Sequence, residues 1–167
     1  MTNSPSTPHS SQQTCSNLFG LLLGDWDFEW IDSLFPQANR RIKGEWNFTR
    51  LSQYYGICDT FICPSRAECA KLGILPHPRI TKRLYNTQTG EWNLYDGDDD
   101  NLCRYHTTFT NDSIIINDIT STSSQMRWLF SEIELHSFKW KCQTSSDNGK
   151  SWRTIEELVA HRHLSSE

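Results

Sequence analysis

Four basic side chains sit on strand-like faces that otherwise carry apolar groups. Arg50 shares parity with Ile42, Trp46 and Phe48, Lys82 with Ile80 and Leu84, and Arg104 and His106 with Leu102. Wherever such a face turns inward it carries cations into the interior, and an unpaired buried cation costs several kcal/mol, so acidic partners or an anionic ligand are required. Asp59, Asp118, Glu156 and Glu157 are candidate partners; Glu29 and Glu45 are too, although parity puts these two on the opposite face. The pattern suits the binding of a carboxylate, enolate or phenolate by Arg50, Lys82, Arg104 and His106. With an unperturbed pKa of about 6.5, His106 would supply the acid or base. A residue near a strand end that reaches solvent, or one flipped by a bulge, gives the same pattern with no chemistry.

Other reactive residue types point to less. The six cysteines, Cys15, Cys58, Cys63, Cys69, Cys103 and Cys142, could form three disulfides by arithmetic, but the polar opening Met1 to Asn17 has no export signal, so free thiols are expected. Cys58, Cys63, Cys69 and His77 are separated by four, five and seven residues, which matches no close-paired zinc pattern, and no metal site is expected. His161 and His163 share a strand face, more simply read as a solvated strand end than as a metal pair. The sequence holds no G-x-S-x-G, P-loop, G-x-G-x-x-G or H-E-x-x-H, so no nucleotide or other cofactor is expected.

The elements that must position these groups follow from composition and period. The 167 residues suit one domain, and seven Trp, eight Phe and five Tyr suit a wide barrel or sandwich, since each ring buries roughly 150–250 Å². A formal charge of −4 gives no cationic footprint for nucleic acid, and no apolar run approaches the ~20 residues of a membrane span. A cytoplasmic location is the corresponding expectation. Residues 1–17, rich in Ser and Thr, read as a disordered tail; 18–163 form the domain, and 164–167 a second tail.

Within the domain the period is two. Trp26, Phe28 and Trp30 alternate with acids, as do Trp46 and Phe48 with polar residues, and the same pattern places strands near 26–32, 42–50, 54–62, 79–85, 91–96, 102–109, 113–120, 125–131, 138–144 and 152–162. Leu18 to Leu23 fit one short helical turn. Ser65 to Leu72 predicts a helix, with Ser65 as cap, Glu68 in capping-box register and Gly73 as its stop. About ten sequential strands with short turns describe an all-β, closed antiparallel up-and-down barrel, because closure removes the sheet edges. A β-sandwich would need longer crossings.

Gly24-Asp25-Trp26 at the start of the first strand resembles the G-x-W signature of lipocalins and the wider calycin superfamily. The resemblance implies a Trp that closes the barrel floor against a basic side chain from the last strand, here Arg162 or Arg153. LLGDWDFEWID, KGEWNF, FICPSRAE and SSDNGKSW together resemble a poorly characterised family of small lipocalin-like β-barrel proteins over residues 20–162. That likeness implies a barrel with an internal cavity and carries no agreed reaction. Ser145 to Trp152 also matches the S-x-D-x-G-x-[ST]-W Asp box, read here as a hairpin staple.

The first functional reading is therefore a binding barrel. It holds a small, largely apolar, aromatic or polycyclic molecule bearing an oxygen anion, stacked on Trp30, Trp46, Trp128 and Trp140, oriented by Arg50, Lys82, Arg104 and His106, and gated by the segment from Cys63 to Pro78. The second is a cofactor-free isomerase, cyclase or lyase of secondary metabolism, with His106 moving a proton and Arg50 or Arg104 steadying an oxyanion. The third is a protein-interaction barrel whose interior is simply packed with rings, which an interior below ~300 Å³ would favour. The expected partner is a small molecule, and pairing into a homodimer is left open.

Overall fold

The computed structural model describes residues 18–32, 40–52, 55–89, 91–96, 102–103, 105–118 and 125–163. Residues 18–22 form a short helix, α1, and the rest is a meander: β1 (Gly24–Asp32), β2 (Arg41–Leu51), β3 (Gly56–Ile62), helix α2 (Arg66–Leu72), β4 (Pro78–Asn86), β5 (Glu91–Asp96), β6 (Leu102–Cys103), β7 (Tyr105–Phe109), β8 (Ile114–Asp118), β9 (Gln125–Ser131), β10 (Ser137–Ser145) and β11 (Arg153–Arg162). The sheet order is β6-β5-β4-β3-β2-β1-β11-β10-β9-β8-β7, with every pair antiparallel. Only one residue separates β6 from β7, which lie on the two edges, so the chain itself bridges the seam. Counted as one strand they give ten, in a nearly closed barrel.

Directly opposed residues in an antiparallel pair share a face. Trp46 lies opposite both Trp26 and Phe61, Trp30 opposite Leu158, and Phe130 opposite Trp140, which turns the alternating stripe of rings inward. One end of the barrel is solid. Trp26, Phe48, Phe130 and Phe138 are fully buried there, and the Trp26 and Phe138 rings meet edge to face with centroids 4.8 Å apart. Helix α1 caps that end, its Phe19 ring packing 4.7 Å from Trp92 and 5.6 Å from Phe109.

A single guanidinium ties the closed end together. Arg162 lies over the Trp26 ring at 4.2 Å and donates to the carbonyls of Leu21, Leu23 and Leu135 at 2.8, 2.7 and 2.7 Å. Trp26 Nε1 donates to the Leu22 carbonyl at 2.7 Å. Gly24 is required because its φ of 114° is left-handed and a Cβ would stand 2.7 Å from Arg162 Nη1. The basic partner of the G-x-W tryptophan is thus Arg162; Arg153 is exposed.

The β10–β11 hairpin is stapled by the Asp box. Asp147 accepts from the Ser151 amide at 2.8 Å and hydroxyl at 2.6 Å, the Ser145 hydroxyl lies 2.8 Å from the same carboxylate, and Trp152 Nε1 donates to the Gly149 carbonyl. Bonds from Ser151 and then Ser145 hold the Asp147 carboxyl down at about 2. Helix α2 has the predicted cap, with Ser65 Oγ accepting from the Glu68 amide at 3.2 Å and Gly73 in the left-handed region. The expected tails 1–17 and 164–167, and the acidic turn at 97–101, lie outside the described residues.

Two outcomes are expected. Arg162→Ala lowers unfolding free energy by roughly 2 kcal/mol or more in a urea titration, and Arg162→Lys recovers under half, since an ammonium cannot fan to three carbonyls. Asp147 ionises more readily when folded, so its contribution is present above its ordinary 3.8 and lost as pH falls towards 2. The melting-temperature gap between wild type and Asp147→Asn is therefore widest near neutral pH and closes on acidification to about pH 2.

Candidate functional site

Above the solid end the barrel is hollow. A cavity of about 380 Å³ opens at the end where β3 finishes and β4 begins, walled by Trp30, Trp128, Trp140, Tyr105, Phe61 and Phe130, with Trp46 as its floor. Trp46 anchors the floor because its ring touches Phe28, Phe48, Phe61, Phe130, Phe138 and Trp140, all with centroids within 6.4 Å. All four tryptophans expected to face a ligand line this one space.

The cavity wall formed by β3 and β4 carries a buried charge network. Asp59, 1% exposed, forms an ion pair with Arg83, 7% exposed, and accepts from Trp46 Nε1 at 2.7 Å. The Arg83 guanidinium also lies 5.9 Å from the Phe130 ring centre. Two burials compensate each other here, which makes either charge alone costly. Arg79 stands nearer the rim on the same wall, and Glu156 lies across the cavity on β11. Cys63 and Cys142 flank Glu156, and burial, followed by the Glu156 charge, pushes their thiols up to about 11 and about 12. Cys58, Cys63, Cys69 and Cys142 are free thiols. Among the described residues no three His, Cys, Asp or Glu side chains group as a metal site would need.

The basic residues expected in the cavity lie elsewhere. His106 is exposed on the outer face of β7, because Tyr105, Thr107 and Phe109 take the inner positions opposite Asp118, Ile116 and Ile114. Lys82 is on the outer face of β4, where Thr81 and Arg83 hold the inner one. Arg50 has the inner register, opposite Ile57, but is exposed at the end of β2, away from the opening. Arg104 lies outside the described residues. With His106 outside, the isomerase, cyclase or lyase reading loses the proton carrier assigned to it. Asp59 and Glu156, named from sequence only as counter-ions, are the acids that line the cavity; Arg79 and Arg83 were missed. The available signal was Asp59 itself, an acid in parity with Ile57 and Phe61.

The Cys63 to Pro78 segment borders the opening, since Cys63 and Arg79 both line the cavity. Its helix does not cover it. The Ser65 amide donates to the Lys43 carbonyl at 2.8 Å and Arg66 pairs with Glu45, so α2 lies against the outer wall of β2. His161 and His163 are exposed; His163 Nδ1 sits 2.7 Å from Asp27 Oδ2, which raises its pKa.

No family model and no curated protein matches this sequence. Solved structures do resemble it. The S-type phycobiliprotein lyase CPES from Guillardia theta superposes with a TM-score of 0.57 at 9% identity, over 95% of this chain and 100% of that one. Rv2717c from M. tuberculosis superposes with a TM-score of 0.55 at 14% identity, over 89% and 97%. At such identities the likeness establishes the fold alone, a nearly closed antiparallel β-barrel.

Removing half of the buried pair should be worse than removing both. Asp59→Ala is expected to cost about 3–5 kcal/mol in unfolding free energy, and Asp59→Leu combined with Arg83→Met to recover most of it, both read from urea midpoints.

Proposed function

We propose that this barrel binds a small, largely apolar aromatic or polycyclic molecule in the cavity above Trp46. The observation that carries the reading is the hollow itself: about 380 Å³ exceeds the ~300 Å³ floor of ordinary ligand pockets, and rings border it on most sides. A barrel evolved only for packing would fill that space, as it does below Trp46. Trp30, Trp128 and Trp140 are half-buried, so each keeps one surface available for stacking. An indole offers large contact area with two rotatable bonds, so little entropy is lost when a ligand seats against it. An oxygen anion on the ligand would orient towards Arg79 at the rim, the role first assigned to Arg50, Lys82, Arg104 and His106.

Titration of the purified chain with a panel of aromatic and polycyclic compounds, read by tryptophan fluorescence, tests the proposal. Saturable quenching is expected, with Trp140→Ala and Trp128→Ala each weakening binding by about tenfold, in the range of one lost stacking partner. Absence of saturable quenching across the panel, from protein that carries no co-purified molecule by native mass spectrometry, would remove the reading.

A further inference from the structure

Glu156 is the acid in the cavity that no described residue answers. Among the described residues it has neither a hydrogen bond nor an ion pair, whereas Asp59 on the far wall has both. On β1 its register partner is another acid, Asp32, and on the other side it faces a thiol and an indole. In register it lies opposite Cys142, which in turn lies opposite Trp128, so Trp128, Cys142 and Glu156 form one row across β9, β10 and β11. Two residues further along β11, Leu158 is opposite both Trp30 and Trp140. One inner-face step is about 7 Å, so three indoles stand around this carboxylate at ligand-sized spacing.

The arginines do not cancel it. In the sheet, β11 and β4 are separated by β1, β2 and β3, roughly 19 Å along the wall at ~4.8 Å per strand step, which puts Arg79 and Arg83 on the far side. Arg83 is already offset by Asp59. Among the described residues the cavity is therefore bipolar, with its unpaired carboxylate on the tryptophan-rich side. A carboxylate framed by indole faces is the arrangement that favours a cation or a polarised N–H, because the ring quadrupoles and the carboxylate attract the same charge.

We propose that Glu156, framed by Trp30, Trp128 and Trp140, recognises a protonated or N–H-donating nitrogen, so that the ligand is an aromatic amine or nitrogen heterocycle. This rests on the binding reading above and narrows it. A ligand that also bears an oxygen anion would span the cavity, nitrogen towards β11 and oxygen towards β4.

The test compares two dyes on the full chain by calorimetry: proflavine, a cationic aromatic amine, and pyrene-1-sulfonate, an anionic polycycle with no nitrogen, each checked for displacement by the other. Glu156→Gln, folded as judged by its melting curve, is expected to weaken proflavine at least tenfold and leave the sulfonate within about twofold. Glu156→Ala should repeat that selectivity, so that a folding defect in one variant does not decide the matter. Equal proflavine affinity in wild type and both variants would overturn the Glu156 role. Binding of the sulfonate alone to wild type would overturn it too, while leaving the binding reading intact. If neither dye binds wild type, both fall.

Discussion

The pairing of Asp59 with Arg83, completed by the Trp46 indole, divides the interior into two regimes. Below it the barrel is packed with Trp26, Phe28, Phe48, Phe130 and Phe138; above it there is space. A carboxylate at 1% exposure cannot be tolerated alone, so its guanidinium must come from β4 and its second donor from β2. Those demands fix the register of three neighbouring strands at once. A slip of one residue in any of them would send the charge outward and a neighbour in. The ion pair thereby contributes less through its net energy than through what it forbids, and the Trp46 floor is held where it must be for a cavity to exist above it.

The solid end makes the hollow end affordable. Arg162 gathers carbonyls from the chain around α1 and from the β9–β10 connection onto the face of Trp26, tying the first and last strands together where they pair. With that end packed and its rings interlocked, the centre of the sheet is held in place, and the β6 and β7 edges are brought together by the chain that joins them. Stability is concentrated in one half, and the other keeps partly exposed rings. The same asymmetry explains why α2 can lie outside the wall: it packs on β2 and leaves the cavity open.

Much of this was legible in the sequence, and the failures have a common cause. Strand positions followed from period-two alternation, which survives in every strand that has one wet face; Trp30, Trp46, Trp128 and Trp140 all faced inward as their parity implied. The Ser65 cap and Gly73 stop of α2 were local chemistry and held. Side-chain polarity misled where the inner wall is itself charged. In β4 the apolar residues Ile80 and Leu84 lie outside, and Thr81 and Arg83 inside, because Arg83 answers Asp59 one strand away. No single strand contains that information. In β7, the inner positions are Tyr105, Thr107 and Phe109, and aligning His106 with Leu102 across residue 104 picked the wrong face. Arg50 had the right face and the wrong end.

What the cavity can do chemically is narrowed by its thiols. Cys63 and Cys142 face the interior, and a thiolate is the form that attacks or ligates. Burial and the nearby Glu156 charge push them up to about 11 and about 12, so near neutral pH both stay protonated. Among the described residues the groups that remain are rings and charged side chains, Asp59, Arg79 and Arg83 on one wall and Glu156 on the other. None is an activated nucleophile, and the histidine proposed from sequence as proton carrier is outside. On the binding reading proposed above, such a set would hold and orient a molecule by shape and by charge, and the wall that carries Glu156 would repel a ligand presenting an anion there. On that reading, recognition depends on which edge of a flat molecule meets which wall.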